Sequence, residues 1–99
     1  MSLLSPILRS GQGNSLMFWC PGCDGPHRIQ HGDGAGPRWG WNGSVDKPTF
    51  TPSILVQWNE PAGDRVCHSF VTDGRIQFLN DCTHELAGQT VAIPEWGEA

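Results

Sequence analysis

A single lysine, Lys47, and the absence of any basic run set the first limit on what this sequence does. Six Lys and Arg stand against ten Asp and Glu, for a formal charge of −4. The electrostatic footprint of a nucleic-acid binder is therefore missing. No apolar stretch approaches the roughly 20 residues that span a bilayer. Met1–Leu8 has no basic leader region and is interrupted by Pro6, so it does not read as a signal peptide. A soluble, cytoplasmic protein is expected, with no membrane partner. Charged residues make up 16% and hydrophobic ones 37% of only 99. That is too little charge for a disordered tail and rather little material for a core. There is no internal repeat, no low-complexity segment and no second domain. These shortages exclude a helix bundle, a coiled coil and a large enzyme.

Against this lean background stand 13 Gly, 8 Pro, five Trp, four Cys and four His. Gly and Pro at this density imply short elements and many turns. A domain this small buries only roughly 60–70% of its unfolded surface, so a metal or crosslink is expected to support it. In a reducing compartment the cysteines read as ligands or reactive thiols in preference to disulfides.

Residues 1–15 carry no clear period and read as a loose N-terminal arm; residues 16–99 read as one β domain. Met17–Trp19 forms a short apolar strand that runs into Cys20-Pro21-Gly22-Cys23, with Pro26–Gln30 as its return. Pro48–Pro52 is extended, Ser53–Trp58 is β-rich, and Glu60–Asp64 is a turn. Trp39, Trp41 and Trp58 fall at strand positions and read as core aromatics. The best-defined element is Val66–Leu79, two β-rich runs joined by Asp73-Gly74, the residue pair of a type I′ hairpin. That turn sets Thr72 opposite Arg75, Val71 opposite Ile76 and Ser69 opposite Phe78. By alternation Cys67, Ser69, Val71, Ile76 and Phe78 share one face; Val66, His68, Phe70, Gln77 and Leu79 share the other, with Asp81 if the strand continues. Asp81–Ala87 is expected to form one helical turn, and Thr90–Ile93 a last strand.

The Cys20–Cys23 pair has the spacing of a zinc knuckle, in which a tight turn lets both sulfurs reach one tetrahedral ion. It follows a strand and precedes a Gly/Pro-rich turn, unlike a redox dithiol opening a helix. Thiolate with imidazole suits Zn²⁺. Cys82 and His84 are the expected remaining ligands; four thiolates, with Cys67 replacing His84, are the alternative. His27 and His31 read as ordinary side chains.

Chemistry centres on Cys67-His68-Ser69. Neighbouring strand residues point to opposite faces, so His68 is badly placed to activate either neighbour. His68 and Asp81 share a face at a diagonal spacing, which would fix the tautomer of the imidazole and raise its basicity. The candidate catalytic set is His68, Asp81, Cys67 and Ser69.

Taken together, MFWCPGCDGPH, WGWNGSVDKPTFTPSI and CHSFVTDGRIQFLNDCTHELAGQTV resemble a family of small phage- and prophage-associated bacterial proteins, often labelled "ammonia monooxygenase". The resemblance covers about Leu16 to Trp96. Nothing in the chain suits ammonia oxidation: it has neither a histidine-rich copper site nor membrane spans. The family is distantly similar to a peptidase of bacterial ubiquitin-like conjugation operons. That similarity implies Cys20 and Cys23 as zinc ligands and His68 as a functional imidazole, with Cys67 standing where the relative is expected to have serine.

The expectation is a mainly β, zinc-containing domain of short antiparallel hairpins with at most one short helix. Two functions compete. One is a zinc-containing hydrolase, a peptidase acting on a protein or ubiquitin-like tail. The other is a non-catalytic zinc-ribbon-like module that binds a protein partner.

Overall fold

The computed structural model describes residues 2–96 as nine strands in two antiparallel sheets. The first sheet has the order β1 (Ser2–Leu3), β2 (Arg9–Gly11), β3 (Ser15–Cys20) and β4 (Gly25–Gln30). The second has the order β5 (Gly40–Trp41), β6 (Phe50–Glu60), β7 (Gly63–Thr72), β8 (Arg75–Phe78) and β9 (Thr90–Ala92). Among the described residues there is no helix; Asp81–Gly88 forms turns where one helical turn was expected. No helix long and apolar enough to cross a membrane is present among them either.

The core lies between the sheets, and strand alternation assigns residues to it. Leu16, Phe18 and Cys20 of β3 are buried, as are Cys67, Ser69 and Val71 of β7 and Ile76 and Phe78 of β8. Phe18 stacks on Phe50 across the two sheets with ring centroids 6.1 Å apart. The hairpin register matches the sequence reading, with Thr72 opposite Arg75 and Ser69 opposite Phe78. Asp73 and Gly74 take positive φ of 50° and 77°, as a type I′ turn requires.

Residues 2–11 are not a loose arm. β2 pairs with β3, Leu8 is fully buried, and the Ser5 hydroxyl donates to the Val45 carbonyl at 2.6 Å. The arm lacks a readable period because its strands are only two and three residues long, below the length at which alternation shows. Trp39 and Trp41 pack partly buried against the core, as expected. Trp58 is half-buried and stands apart from it, its indole N–H donating to Glu60.

One irregularity matters for the site. Phe50 pairs with Val71, yet Ile54 pairs with Ser69. Thr51, Pro52 and Ser53 thus oppose a single residue of β7, Phe70, and form a bulge in β6, the device by which sheets re-aim a side chain.

Candidate functional site

β7 carries two sites back to back. Cys67 points inward and His68 outward, because successive strand side chains alternate.

On the inward side, Cys20, Cys23, Cys67 and His84 bring four ligand atoms within 4.8 Å of one another. The knuckle turn supplies the first two. β7 of the opposite sheet supplies the third, and the turn after Asp81 supplies His84. The cluster therefore ties both sheets and the C-terminal segment together. The geometry fits a tetrahedral ion. Bonds of about 2.3 Å to sulfur and 2.0 Å to nitrogen imply edges of about 3.8 Å between sulfurs and about 3.5 Å between sulfur and nitrogen. The Cys20 and Cys67 sulfurs lie 3.9 Å apart, and His84 Nε2 lies 3.4 Å from the Cys67 sulfur. None of the cysteines forms a disulfide.

The thiols are strongly coupled. Hydrogen bonds from Cys23 and Cys67 hold the Cys20 thiol far below the ordinary range, aided by His27. Donating to Cys20 pushes Cys23 up to about 12 and raises Cys67 further. Burial lowers the pKa of His84, favouring the neutral imidazole that a metal requires. The four donors could hold a cation, which would take the place of the thiol protons. At Gly22 an added Cβ would collide with the His84 ring, so the knuckle needs glycine where the imidazole closes over it.

Cys82 lies outside this cluster; Cys67 takes the place expected for it. The Cys82 sulfur instead accepts the backbone N–H of His68 and donates to its carbonyl, both at 3.2 Å. The reason is local. The Leu79 N–H donates to the His68 carbonyl and the Thr83 N–H to the Val66 carbonyl. Residues 79–83 thereby run alongside β7 and deliver Cys82 to its backbone, while His84 turns inward to the sulfurs.

The same course brings Asp81 to the outward face. His68 Nδ1 lies 3.0 Å from Asp81 Oδ2, and His68 Nε2 lies 3.1 Å from Ser53 Oγ. With Nδ1–H donating to the carboxylate, Nε2 is free to accept from the serine hydroxyl. The bulge supplies Ser53, and Trp39 steadies it by donating its indole N–H to the Ser53 carbonyl at 3.2 Å. His68 is 25% and Asp81 56% exposed, so the line is open to solvent.

Cys67 and Ser69, the nucleophiles considered from sequence, are each 1% exposed and face the core. Neither is placed to exchange a proton with the His68 ring. Ser53 was missed, although a signal for it existed: the turn at Pro61-Ala62 pairs Glu60 with Gly63. Counting from that turn sets Leu55 opposite His68 and puts Ser53 on the same face, one diagonal step away.

Among known proteins, the family described as "bacterial ubiquitination-like system serine protease (BubE)" matches residues 4–79. The match includes Ser53 and His68 together with Cys20, Cys23 and Cys67; Asp81 and His84 follow it. No curated protein and no solved structure matches the chain.

Proposed function

The chain belongs to this family of bacterial serine proteases, and from that premise we propose that it is a serine peptidase acting on a protein tail of ubiquitin-like type, with Ser53 as nucleophile. The observation that carries the reading is the continuous line Ser53–His68–Asp81, with contacts of 3.1 and 3.0 Å. This arrangement is recognised by geometry and roles, whatever the chain order.

Ser53 Oγ attacks the scissile carbonyl while its proton passes to His68 Nε2. Asp81 stabilises the imidazolium through Nδ1–H. As the carbon–nitrogen bond breaks, Nε2 returns the proton to the departing amine, leaving an acyl group on Ser53. Water then attacks that ester with His68 as base, releasing the acid and restoring the hydroxyl. Leu55, 51% exposed, and Phe70, 42% exposed, flank the line on the same face and offer apolar contacts for a substrate.

The metal in this reading is Zn²⁺, held by Cys20, Cys23, Cys67 and His84. Three sulfurs and one nitrogen suit it, and four protein donors leave no open position for a reactive water. Its part is structural: it anchors β7 from behind and fixes the turn from which Asp81 departs.

A fluorophosphonate reagent tests the nucleophile directly. It should phosphonylate Ser53, as mapped by mass spectrometry, with labelling lost in Ser53→Ala and strongly slowed in His68→Ala. Labelling at another residue, or labelling of Ser53 that ignores His68, would overturn the reading. Trp39 offers a subtler check. Trp39→Phe keeps a ring but removes the donor to the Ser53 carbonyl. One net hydrogen bond is worth about 1 kcal/mol, so kcat should fall about fivefold with KM little changed.

A further inference from the structure

Beyond the catalytic line, the outward face of the second sheet carries a cationic depression that the proposed chemistry does not use. Its cavity measures about 710 Å³ and is lined by Lys47, Thr72, Asp73, Arg75, Gln77 and Thr90. Lys47 and Arg75 outnumber Asp73, so the pocket is locally positive in a chain of net charge −4. Among the described residues neither cation forms an ion pair. Gly74 packs so close to Lys47 that an added Cβ would lie 3.2 Å from the Lys47 Cα. The Gly74 N–H also donates to the Pro48 carbonyl and the Asp73 N–H to the Thr49 hydroxyl. The lysine is thus built onto the hairpin that bears Arg75.

Register places this pocket in line with the catalytic residues. His68, Phe70 and Thr72 are alternate residues of β7 and face outward together. Gln77 lies opposite Phe70, Arg75 opposite Thr72, and Thr90 opposite Gln77. Thr72 is four residues from His68, a distance of about 13 Å at about 3.3 Å per strand residue. An extended peptide covers it in three to four residues. Between the two ends lies the exposed ring of Phe70.

We propose that the Lys47–Arg75 pocket is a carboxylate subsite for the substrate, receiving a C-terminal α-carboxylate or an acidic side chain three to four residues from the scissile bond. Guanidinium and ammonium groups supply the charge, and the Thr72 and Thr90 hydroxyls and the Gln77 amide can complete the hydrogen bonding of two oxygens. The inference rests on the peptidase reading for its meaning, but the pocket can be tested without catalysis.

Three probes are titrated into ¹⁵N-labelled Ser53→Ala protein: acetyl-alanyl-alanine with a free carboxylate, its C-terminal amide, and acetyl-alanyl-glutamyl amide. The free acid, the glutamyl amide or both should shift the backbone amide signals of Thr72, Arg75 and Thr90, whereas the neutral amide should not. Which acidic probe binds identifies the source of the carboxylate. Lys47→Gln and Arg75→Gln should each weaken that binding about tenfold, the scale of a charge-assisted hydrogen bond, and Arg75→Lys should restore part of it. Equal shifts from acid and neutral amide, or carboxylate shifts that persist in both glutamine variants, would overturn the proposal. The two readings separate cleanly. If Ser53 reacts with a fluorophosphonate but the probes bind alike, the pocket falls and the nucleophile stands. If carboxylate binding maps to the pocket and Ser53 is inert, the catalytic reading falls alone.

Discussion

Ser53→Ala should lower kcat/KM for peptide hydrolysis by on the order of 10⁴-fold or more, the scale seen when a serine nucleophile is removed from such a line. His68→Ala should cost a similar factor. The double variant should be scarcely worse than either single one, because the two side chains act as a unit. Asp81→Asn should fall by about 10⁴-fold at most while keeping the fold, since the amide can favour the wrong imidazole tautomer. The measurement is steady-state cleavage of a labelled peptide, with circular dichroism and metal content recorded on each variant. Ser53 is only half-buried and its side chain is small, so loss of a hydroxyl there leaves packing intact and lost activity would report chemistry. A Ser53→Ala enzyme that cleaves at the wild-type rate would remove Ser53 from the mechanism. Ser69→Ala is the informative contrast. Its hydroxyl is buried in the core, so the change should touch stability and leave the chemical step in place.

The second large effect concerns the metal. Cys67→Ser should release the ion and lower stability by at least about 3 kcal/mol, since a structural zinc site contributes folding energy outright. For a domain of this size that is a drop in Tm of roughly 12–24 °C. Cys82→Ser should keep the metal: its sulfur contacts the His68 backbone, and a hydroxyl can both accept from that N–H and donate to that carbonyl. Metal content by elemental analysis and Tm by scanning calorimetry distinguish the two variants. The reverse result, metal lost from Cys82→Ser and kept in Cys67→Ser, would move the site to the Cys82 knuckle. Chelation of the wild-type protein should mirror Cys67→Ser and also reduce hydrolysis, because His84 and Asp81 leave the same short turn.

How much of this could be read from the chain depended on how each contact is specified. The β7–β8 hairpin was legible in full because Asp73-Gly74 dictates a two-residue turn, and a turn fixes every pair behind it. That one register yielded the inward Cys67 and the shared face of His68 and Asp81. The Cys20–Cys23 knuckle was legible from spacing alone. The third thiol was misassigned: Cys82 stands in both ligand sets expected from the sequence, because Cys67 and Cys82 both fall near the knuckle once the hairpin is drawn, whereas the cluster takes Cys67 with His84. Only the backbone course of residues 79–83, which joins β7 through Thr83 and Val66, decides between them. Ser53 was harder. Its face can be counted from the Pro61-Ala62 turn, but that pair is a weaker hairpin signal than Asp73-Gly74, and nothing local announces the bulge that sets three residues against one there. The first sheet was hidden for a different reason. Leu8 is fully buried, yet its strands are too short to print a period.

The alternation along β7 has a consequence for how this chain can vary. Cys67 and His68 serve different sites through nothing more than the parity of their positions. Because the Asp73-Gly74 turn sets the register of β7, an insertion or deletion of one residue between His68 and that turn would set the thiol outward and the imidazole inward, abolishing both sites in one event. Substitutions along the strand can be absorbed singly, but changes of length cannot. Changes of length should therefore be tolerated only in the connections, such as the glycine-rich span from His31 to Pro37, and not within this strand.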